Sequence, residues 1–368
     1  MKRLTYISKF SRPLSPQEVE AIGVISKRNN QRENITGVLL CSQGIFFQIL
    51  EGEEGKIDKL YEKILRDDRH TEIICLNTEH DIPERLFADW SMQTINLDEN
   101  SDLIIKPIKA LLQTLNNSYR VLEKYTQPTI TKLISSGVNP LKVPLKKVEK
   151  IVFFSDIVSF STLVEKLPCD EIVGILNRYF TICTNIITAR GGEVTKFIGD
   201  CVMAYFPAEK ADAAIQASLD ILTELEILRN LAPVDSPLAV LYNGIGLSQG
   251  EVIEGNIGSD LKMDYTILGD AVNVAQRLES LTRQQSRSLI LSLSVKNSAV
   301  TAWQFINLGK CYVKGKEESI EIYSIDDRIT RKMSDSVQLA DRINNYLDTL
   351  KTHFDNQNEI DLQSTFSI

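Results

Sequence analysis

The sequence feature that most constrains the fold lies at residues 150–163, KIVFFSDIVSFSTL. Four apolar residues follow one another there without a polar break, and Asp156 comes two positions after the last of them. A short, continuous apolar run predicts a strand that is buried on both faces. A carboxylate at the end of such a strand is costly unless it is paired, hydrogen-bonded or bound to a metal ion. The run therefore predicts a core strand whose last carboxylate has a partner.

Composition sets the class of protein and excludes several kinds of function. The chain has 368 residues, of which 43% are hydrophobic, enough for two domains that each have a core. No stretch reaches the roughly 20 consecutive apolar residues of a membrane-spanning helix, and the start, MKRLTYISKF, does not resemble a signal peptide. We therefore expect a cytoplasmic protein that does not bind a membrane. A formal net charge of −8 argues against a surface that binds nucleic acid.

Cysteine and histidine content narrows the kinds of metal site. The six cysteines lie far apart and form no CxxC motif, so we expect reduced thiols rather than disulfides or a zinc site. Only three histidines are present, and none is next to another. Any metal ion is thus expected to be a hard cation held by carboxylates.

The hydrophobic pattern predicts an α+β fold class, with two ferredoxin-like α/β sandwich domains joined by a coiled-coil-like linker helix. In the first domain, short apolar strands alternate with two helices, and Ser15 followed by Pro16 and Glu18 predicts the start of the first helix. The first domain is assigned to residues 1–100 and the linker to residues 101–147. The second domain is assigned to residues 148–327, and a polar tail of unknown role to residues 328–368.

The linker is expected to be a two-sided helix, because its apolar residues form two stripes at helical spacing. The first stripe comprises Ile108, Leu111, Leu115, Leu122 and Tyr125, and the second comprises Ile105, Leu112 and Tyr119. Such spacing suits a helix that pairs with a copy of itself, and the alternative is a helix packed on its own domain. Four residues are expected to break the helix and mark the domain boundary: Pro128, Gly137, Pro140 and Pro144.

The second domain carries residue types that bind a polyphosphate through a metal ion. Asp200 follows Gly199 in a turn between two predicted strands, GGEVTKFIGDCVMAYF. Asn273 and Arg277 are spaced i, i+4 in DYTILGDAVNVAQRLESL, so an amide and a guanidinium share one helix face. Each aspartate taken alone is explained as well by a structural salt bridge. Together with the lysines of VKGKEESIEIYSI, the set suits phosphoryl chemistry.

These segments resemble the catalytic domain of class III nucleotide cyclases over almost all of residues 148–327. The resemblance implies that Asp156 and Asp200, with the backbone carbonyl of Ile157, hold two Mg²⁺ ions, with Mn²⁺ as an alternative. One ion would lower the pKa of the ribose 3′-hydroxyl, and both would neutralise the triphosphate. The burial of the first aspartate is thereby explained.

The same resemblance implies roles in the substrate site. Asn273 resembles the residue that orients the ribose, and Arg277 the one that stabilises charge on the α-phosphoryl group in the transition state. Lys314 resembles the ligand of the terminal phosphates, with Lys316 as the alternative.

Base selection is expected to depend on Lys196 and Thr266. Lysine only donates hydrogen bonds and threonine can accept them, which suits the N1 acceptor and N6 donor of adenine. Either residue alone would be an ordinary strand or turn residue, but the pair resembles the adenylyl-specific members of the family. The expected substrate is ATP. In this family one protomer supplies the metal-binding aspartates, and the other supplies the base-reading pair with the asparagine and the arginine. A homodimer with two shared sites is therefore implied.

The chemically unusual residue of the first domain is Gln48, in GIFFQILEG. Its apolar neighbours predict a central strand, and a buried amide needs partners for one acceptor and two donors. Tyr6 in the first strand and Asn30 at the end of the first helix are candidates for the same pocket. From these residues alone, a structural polar network is an equally good explanation.

The strings NITGVLLCSQGIFFQILEG, DDRH and WSMQT resemble the BLUF family of flavin-binding blue-light sensors. The resemblance implies an oxidised, non-covalently bound FAD whose isoalloxazine ring lies between the two helices. Tyr6 and Gln48 would form a relay in which the tyrosine gives an electron and a proton to the excited flavin and the glutamine amide rotates or tautomerises. Asn30, or its neighbour Asn29, would bond the carbonyl edge of the ring.

Four further residues complete the implied flavin site. Asp67 and Arg69 would line the far side of the flavin. Trp90 and Met92 are placed on the last strand of the domain, where a change at Gln48 could pass to the linker helix.

Both resemblances together imply an enzyme similar to the photoactivated adenylyl cyclases of cyanobacterial type, which would convert Mg-ATP to 3′,5′-cyclic AMP and pyrophosphate under blue light. Alternatives are a guanylyl or mixed-specificity cyclase, an inactive nucleotide-binding light-sensing adaptor, and a constitutive cyclase whose first domain only supports dimerisation.

Overall fold

The structure, a computed structural model, describes residues 1–99, 105–136, 138–233, 236–312 and 319–331, together with residues 346 and 348. The chain divides into two compact units, Met1–Pro144 and Leu145–Ile368. Each unit has its own β-sheet with helices packed on it, so the mixed α/β architecture predicted from the hydrophobic pattern is confirmed.

The first unit is built on a five-stranded sheet. Its strands are β1 (Lys2–Phe10), β2 (Thr36–Ser42), β3 (Ile45–Gly52), β4 (His70–Glu79) and β5 (Gln93–Asn96). They lie in the order β4-β1-β3-β2-β5, and all neighbours are antiparallel except β2 and β5. Gln48 is on the central strand β3, directly opposite Tyr6 of β1. Trp90 and Met92 precede β5 rather than lying on it, so their expected place on the last strand is wrong.

Four α-helices are described in the first unit, outside the gaps at residues 100–104 and 137: α1 (Pro16–Glu33), α2 (Glu54–Leu65), α3 (Ile105–Tyr125) and α4 (Pro128–Ser135). Helix α1 starts with the predicted capping box. The Glu18 N–H donates to the Ser15 hydroxyl, and the Ser15 N–H donates to the Glu18 carboxylate at 2.8 Å. Helix α4 begins at Pro128, which therefore starts a new helix as well as following the end of α3, because a proline at the first helical position needs no N–H partner.

Helix α3 has two different sides, as its two apolar stripes predict. Tyr119 of the second stripe packs against a buried isoleucine cluster of the first unit's sheet, and Leu112 is buried. Leu111 and Tyr125 of the first stripe are 66% and 85% exposed. Leu112 and Tyr119 of the second stripe are thus on the covered side of the helix, whereas Leu111 and Tyr125 of the first stripe present apolar surface. Gly137, one of the expected helix breakers, lies outside the described residues.

In its described residues the second unit has eight strands: β6 (Lys146–Ile157), β7 (Glu193–Ile198), β8 (Cys201–Pro207), β9 (Asn243–Ser259), β10 (Lys262–Leu268), β11 (Leu289–Ser292), β12 (Phe305–Cys311) and β13 (Ile320–Ile325). Seven of them lie in the order β12-β13-β11-β9-β6-β8-β7, and β10 pairs with β9. Strand β6 is antiparallel to both of its neighbours, β8 and β9. Its residues Ile151, Val152, Phe153 and Phe154 are buried as the apolar run predicts.

The described helices of the second unit are α5 (Phe160–Lys166), α6 (Cys169–Ala189), α7 (Ala211–Leu231), α8 (Asp270–Gln284), α9 (Leu293–Ser298) and α10 (Arg328–Arg331). Among the described helices, α6 passes a test of length and composition for a membrane span, with a mean hydropathy of 1.2. Ile175, Tyr179 and Cys183 of α6 are buried in a core shared with α7 and the sheet. Core helices pass the same test, so this is weak evidence for a membrane span.

Candidate functional site

Two aspartates meet at the end of β6. Gly199 and Asp200 form the turn between β7 and β8, and Gly199 has a φ of +63°, which favours glycine. Because β8 pairs with β6, this turn lies beside Asp156. The Asp156 carboxylate and the backbone N–H of Ile157 are both close enough to act on the charge of the Asp200 carboxyl. The structure thus brings together the three residues expected to hold the metal.

The electrostatics of this pair suit a cation. Burial, and then the hydrogen bond and negative charge of Asp156, raise the pKa of Asp200 to about 7. Two carboxylates and a backbone carbonyl are oxygen ligands of the type that Mg²⁺ takes. Among the described residues, no group of three or more His, Cys, Asp or Glu side chains could hold a metal ion.

Helix α8 adds two residues that the sequence reasoning missed. Arg283 donates to Oδ2 of Asp156 at 2.9 Å and to Oε1 of Glu279 at 2.6 Å. The side chain of Glu279 is only 5% exposed, and burial raises its pKa to about 7 while Arg283 acts to lower it. The i, i+4 spacing of the pair is visible in the sequence, but it looks the same as that of a solvated surface pair.

Two glycines of β9 let α8 lie close to the sheet. A Cβ at Gly244 would be 3.0 Å from Oε1 of Glu279, and one at Gly246 would be 2.3 Å from the Glu279 backbone nitrogen. Gly244 is the sheet partner of Asp156. The absence of side chains at these two positions therefore allows the helix to approach until its polar groups reach the end of β6.

Asn273 and Arg277 lie one turn apart on α8, as predicted, and both are exposed. Glu279 and Arg283 of the same helix are turned towards Asp156 instead. The helix therefore offers one pair of polar groups to its own sheet and a different pair to the surface.

The expected base-reading residues lie on neighbouring elements. Nζ of Lys196, on β7, is 3.4 Å from Oδ2 of Asp264, on β10. Thr266 is buried two positions further along β10, and alternation in a strand puts it on the same side as Asp264. The sequence analysis did not identify Asp264, although its position two residues before Thr266 would have placed both side chains on one face of a strand. Lys314 and Lys316 lie outside the described residues.

Tyr6, Gln48 and Met92 form a buried chain in the first unit. The Tyr6 hydroxyl donates to Oε1 of Gln48, and Nε2 of Gln48 donates to Sδ of Met92 at 3.4 Å. Burial raises the pKa of the Tyr6 phenol well above its usual value. A thioether is a weak acceptor, so this amide N–H is only weakly bound. Trp90 is 42% exposed and stacks on Phe87.

Asn30 faces a cavity between α1 and α2. Its Nδ2 has no hydrogen-bond partner among the described residues, although Asn30 is only 3% exposed. The cavity has a volume of about 500 Å³. Its polar lining consists of two amides, one carboxylate and four cationic side chains: Asn29, Asn30, Glu33, Arg32, Lys56, Lys59 and Lys63. Asn29 is exposed and can bond to water, whereas Asn30 is buried. Burial therefore favours Asn30 as the amide that would donate to a bound ligand.

Asp67 and Arg69 bind each other at the start of β4. Nε of Arg69 donates to Oδ1 of Asp67 at 2.9 Å, and this pairing lowers the pKa of Asp67 to about 2. His70, which the sequence reasoning did not single out, follows them. Its Nδ1 lies 2.8 Å from the Ser8 hydroxyl, and its ring packs 4.7 Å from that of Phe46.

Comparison with known proteins identifies both units. Residues 1–93 match the family described as "Sensors of blue-light using FAD", and residues 143–327 match the family "Adenylate and Guanylate cyclase catalytic domain". The two resemblances drawn from the sequence motifs are confirmed. A flavin-type sensor unit followed by a nucleotide cyclase catalytic unit is the class of protein that the fold and the sites define.

Solved structures narrow the class. The structure of a bacterial light-regulated adenylyl cyclase is 58% identical to this chain, covers 94% of it and 100% of its own chain, and superposes with a TM-score of 0.89. A second structure described in the same words is 57% identical with a TM-score of 0.86, and covers the same shares of both chains. The chain therefore belongs to the family of light-regulated cyclases that join a BLUF domain to a class III catalytic domain.

Curated relatives in Euglena are longer proteins. Photoactivated adenylate cyclase subunit beta of Euglena longa is 31% identical over 334 residues, which are 88% of this chain and 38% of the relative. Subunit alpha of Euglena gracilis is 33% identical over 290 residues, which are 78% of this chain and 28% of the relative. The chain thus spans well under half of these relatives. Membership of the two domain families implies an FAD cofactor in the first unit and a divalent metal in the second.

Proposed function

We propose that the chain is a blue-light-activated adenylyl cyclase that converts Mg-ATP to 3′,5′-cyclic AMP and pyrophosphate. The observation that carries the proposal is the meeting of Asp156 and Asp200 at the end of the central strand of a cyclase-family unit. The two carboxylates lie beside each other, which suits a hard divalent cation that also binds substrate phosphates.

The chemistry is an in-line displacement at phosphorus. When bound, two Mg²⁺ ions on Asp156, Asp200 and the Ile157 carbonyl would lower the pKa of the 3′-hydroxyl and neutralise the triphosphate. The 3′-oxygen forms a bond to the α-phosphorus, and the bond from that phosphorus to the oxygen bridging to the β-phosphate breaks. Pyrophosphate leaves with the electron pair, and the hydroxyl proton passes to water.

Other residues bind and orient the nucleotide. Asn273 and Arg277 are proposed to hold the ribose and to stabilise charge on the α-phosphoryl group, because their exposed face of α8 leaves both side chains available. Lys314 is proposed to hold the terminal phosphates. The Lys196 donor and the buried Thr266 hydroxyl are proposed to read the N1 and N6 edge of adenine.

A homodimer with two shared sites is proposed from the exposed surface around these groups. Phe197 and Ile198 directly precede the turn that carries Asp200, and both are about half exposed. Met263 and Leu268 on β10 are likewise exposed on either side of Thr266 along the chain. Apolar side chains next to both halves of a polar site suit a surface that a second copy covers.

The first unit is proposed to hold FAD in the cavity that Asn30 lines. The unpaired Asn30 amide would donate to a carbonyl of the ring, and the four cations of the cavity would pair with the diphosphate. When bound, the flavin supplies blue-light absorption and accepts an electron. The Tyr6 hydroxyl donates a hydrogen bond to Oε1 of Gln48. The Gln48 amide has a second hydrogen-bonded state available, because its N–H is only weakly bound to Met92. Asp67, Arg69 and Trp90 are proposed to complete the site.

The compartment proposed for this reaction is the cytoplasm. ATP is the expected substrate, and all six cysteines are free thiols, as is usual in a reducing compartment.

The test is cyclic nucleotide formation by the purified protein with ATP or GTP and Mg²⁺, in darkness and under blue light. We expect cyclic AMP to form from ATP, faster in light, and Asp156→Ala or Asp200→Ala to reduce turnover to background while the flavin spectrum stays. Near-normal turnover in either variant would contradict the metal assignment, and equal rates with GTP would contradict the choice of base.

A further inference from the structure

Arg283 occupies a place that the proposed mechanism does not use. It bridges Asp156, which is proposed to bind the metal, and Glu279, a residue of α8 whose side chain is almost fully buried. No cyclase chemistry described above requires a cation at this position. Since a guanidinium beside a metal ligand could either support that ligand or compete with the metal, the contact needs an explanation.

The geometry shows a built arrangement rather than a chance surface pair. Glu279 and Arg283, spaced i, i+4 on α8, extend towards the end of β6. Glycines at two positions of β9 allow α8 to pack this close to the sheet. The side chains of Asp156 and Arg283 are about one third exposed, whereas that of Glu279 is almost fully buried. A planar guanidinium can bind two carboxylates at once, which a lysine ammonium does less well.

The charges of the cluster separate the two explanations. Asp156, Asp200 and Glu279 carry three negative charges when ionised, and Arg283 carries one positive charge. If Arg283 faced Asp156 alone, it would cancel half of the charge that attracts a divalent ion. Glu279 lies nearer to the guanidinium, at 2.6 Å against 2.9 Å, and offsets its charge. The two aspartates then keep a net charge of −2 towards a cation.

We propose that Arg283 is a positioning residue of the metal site: it fixes the orientation of the Asp156 carboxylate, and Glu279 neutralises Arg283 so that it does not compete with the metal ion. This inference rests on the proposed function, because the metal ion is implied there. It adds a second pair of α8 residues to the reaction, distinct in face and in role from Asn273 and Arg277.

The experiment measures binding of Mn²⁺ alone to the full-length protein in darkness, by the loss of the free-ion EPR signal at pH 8. Arg283→Met should weaken Mn²⁺ binding about tenfold, because Asp156 loses its fixed orientation. Arg283→Lys should recover part of that loss, since it keeps the charge but not the planar fork. Glu279→Gln should also weaken binding, because the positive charge beside Asp156 is no longer offset.

Arg190→Met is the matched control. Arg190 pairs with Asp220 at 2.6 Å elsewhere in the same unit, so its loss removes an Arg–Asp ion pair without touching the cluster. This variant should bind Mn²⁺ like the unmodified protein. A kinetic readout accompanies the binding data: the Mn²⁺ concentration for half-maximal rate should rise in Arg283→Lys, while the rate at saturating Mn²⁺ changes little. A purely structural role would lower the saturating rate and the unfolding temperature instead.

Three results would overturn the inference. Tighter Mn²⁺ binding in Arg283→Met would show that the guanidinium competes with the metal. Unchanged binding in folded Arg283→Lys and Glu279→Gln would show that neither residue acts on the site. If the unmodified protein binds no Mn²⁺, or if Asp156→Ala binds as much Mn²⁺ as the unmodified protein, the proposed metal site itself is wrong and this inference fails with it. The first two results leave the metal site standing.

Discussion

At the scale of single residues, burial sets the chemistry of both sites. The pKa of Asp200 is raised beside Asp156, and Nδ2 of Asn30 has no hydrogen-bond partner within the described part of the chain. The Gln48 amide accepts from the Tyr6 hydroxyl and donates to the Met92 thioether. A cation beside the two aspartates and a flavin beside Asn30 would each offset part of the cost of burying these polar groups.

The raised pKa of Asp200 predicts a pH dependence of metal binding. Its folded value of about 7 lies above the ordinary 3.8, so below pH 7 the metal-free carboxyl holds a proton that a cation must displace. Apparent Mn²⁺ affinity should therefore rise about tenfold per pH unit up to about pH 7 and then level off. The metal-free protein should lose this group's share of stability as pH rises from about 4 to 7, because burial disfavours the charged form. Asp200→Asn should remove both effects; calorimetry in two buffers would count the released proton, and a pH-independent affinity would contradict the assignment.

The base-reading pair predicts an exchange of specificity. Lys196→Glu combined with Thr266→Cys reverses donor and acceptor along the base edge, so the preference for ATP over GTP should fall by about 10- to 100-fold, or roughly 1–3 kcal/mol. The ratio of kcat/KM for the two nucleotides measures it. An unchanged ratio in an active double variant would mean that these residues do not contact the base. Asp264→Asn, which weakens the ion pair between Asp264 and Lys196, is the matched control for the change at Lys196.

At the scale of elements, the contact of α8 with β9 aligns the catalytic groups. Gly246→Ala places a Cβ 2.2 Å from the carbonyl oxygen of Ala275 and 2.3 Å from the Glu279 nitrogen, both backbone atoms that cannot turn aside. We expect a loss of about 3 kcal/mol in the stability of the second unit, together with weaker metal binding. Gly174→Ala on α6, where nothing lies within 4 Å of a new Cβ, should be neutral or stabilise by up to about 1 kcal/mol. Calorimetry would separate the two, and equal unfolding temperatures would contradict the close-packing account.

Elements were predictable from the sequence where one local pattern decides them. The apolar run of β6, the capping box of α1 and the central strand around Gln48 all follow from short-range periodicity and hydrogen-bond satisfaction. The partner of Arg283 did not follow, because it depends on helix-to-strand distance across β9, which two glycines set and no local pattern reports. The start of β5 after Met92 was missed for a related reason: the strand is only four residues long and is defined by its pairing with β2.

At the scale of the whole molecule, a shared site predicts complementation between two inactive variants. Asp156→Ala and Arg277→Ala each remove one half of every site in their own homodimers. In a mixed dimer, the unmutated halves meet at one of the two sites. Random exchange makes half of the dimers mixed, so an equal mixture should regain about a quarter of the unmodified activity. No recovery after proven subunit exchange would show that each chain carries a complete site by itself.

The central claim is that a change at Gln48 in the first unit controls phosphoryl chemistry in the second. Leucine nearly matches glutamine in size but neither donates nor accepts, so Gln48→Leu should keep bound flavin and lose the switch between two hydrogen-bonded states. The decisive measurement is the ratio of cyclic AMP formation in blue light to that in darkness, for the unmodified protein and for Gln48→Leu. We expect a ratio well above one in the first and close to one in the second, with the flavin absorption retained in both. A ratio of one in the unmodified flavoprotein, or an undiminished ratio in Gln48→Leu, would contradict the account.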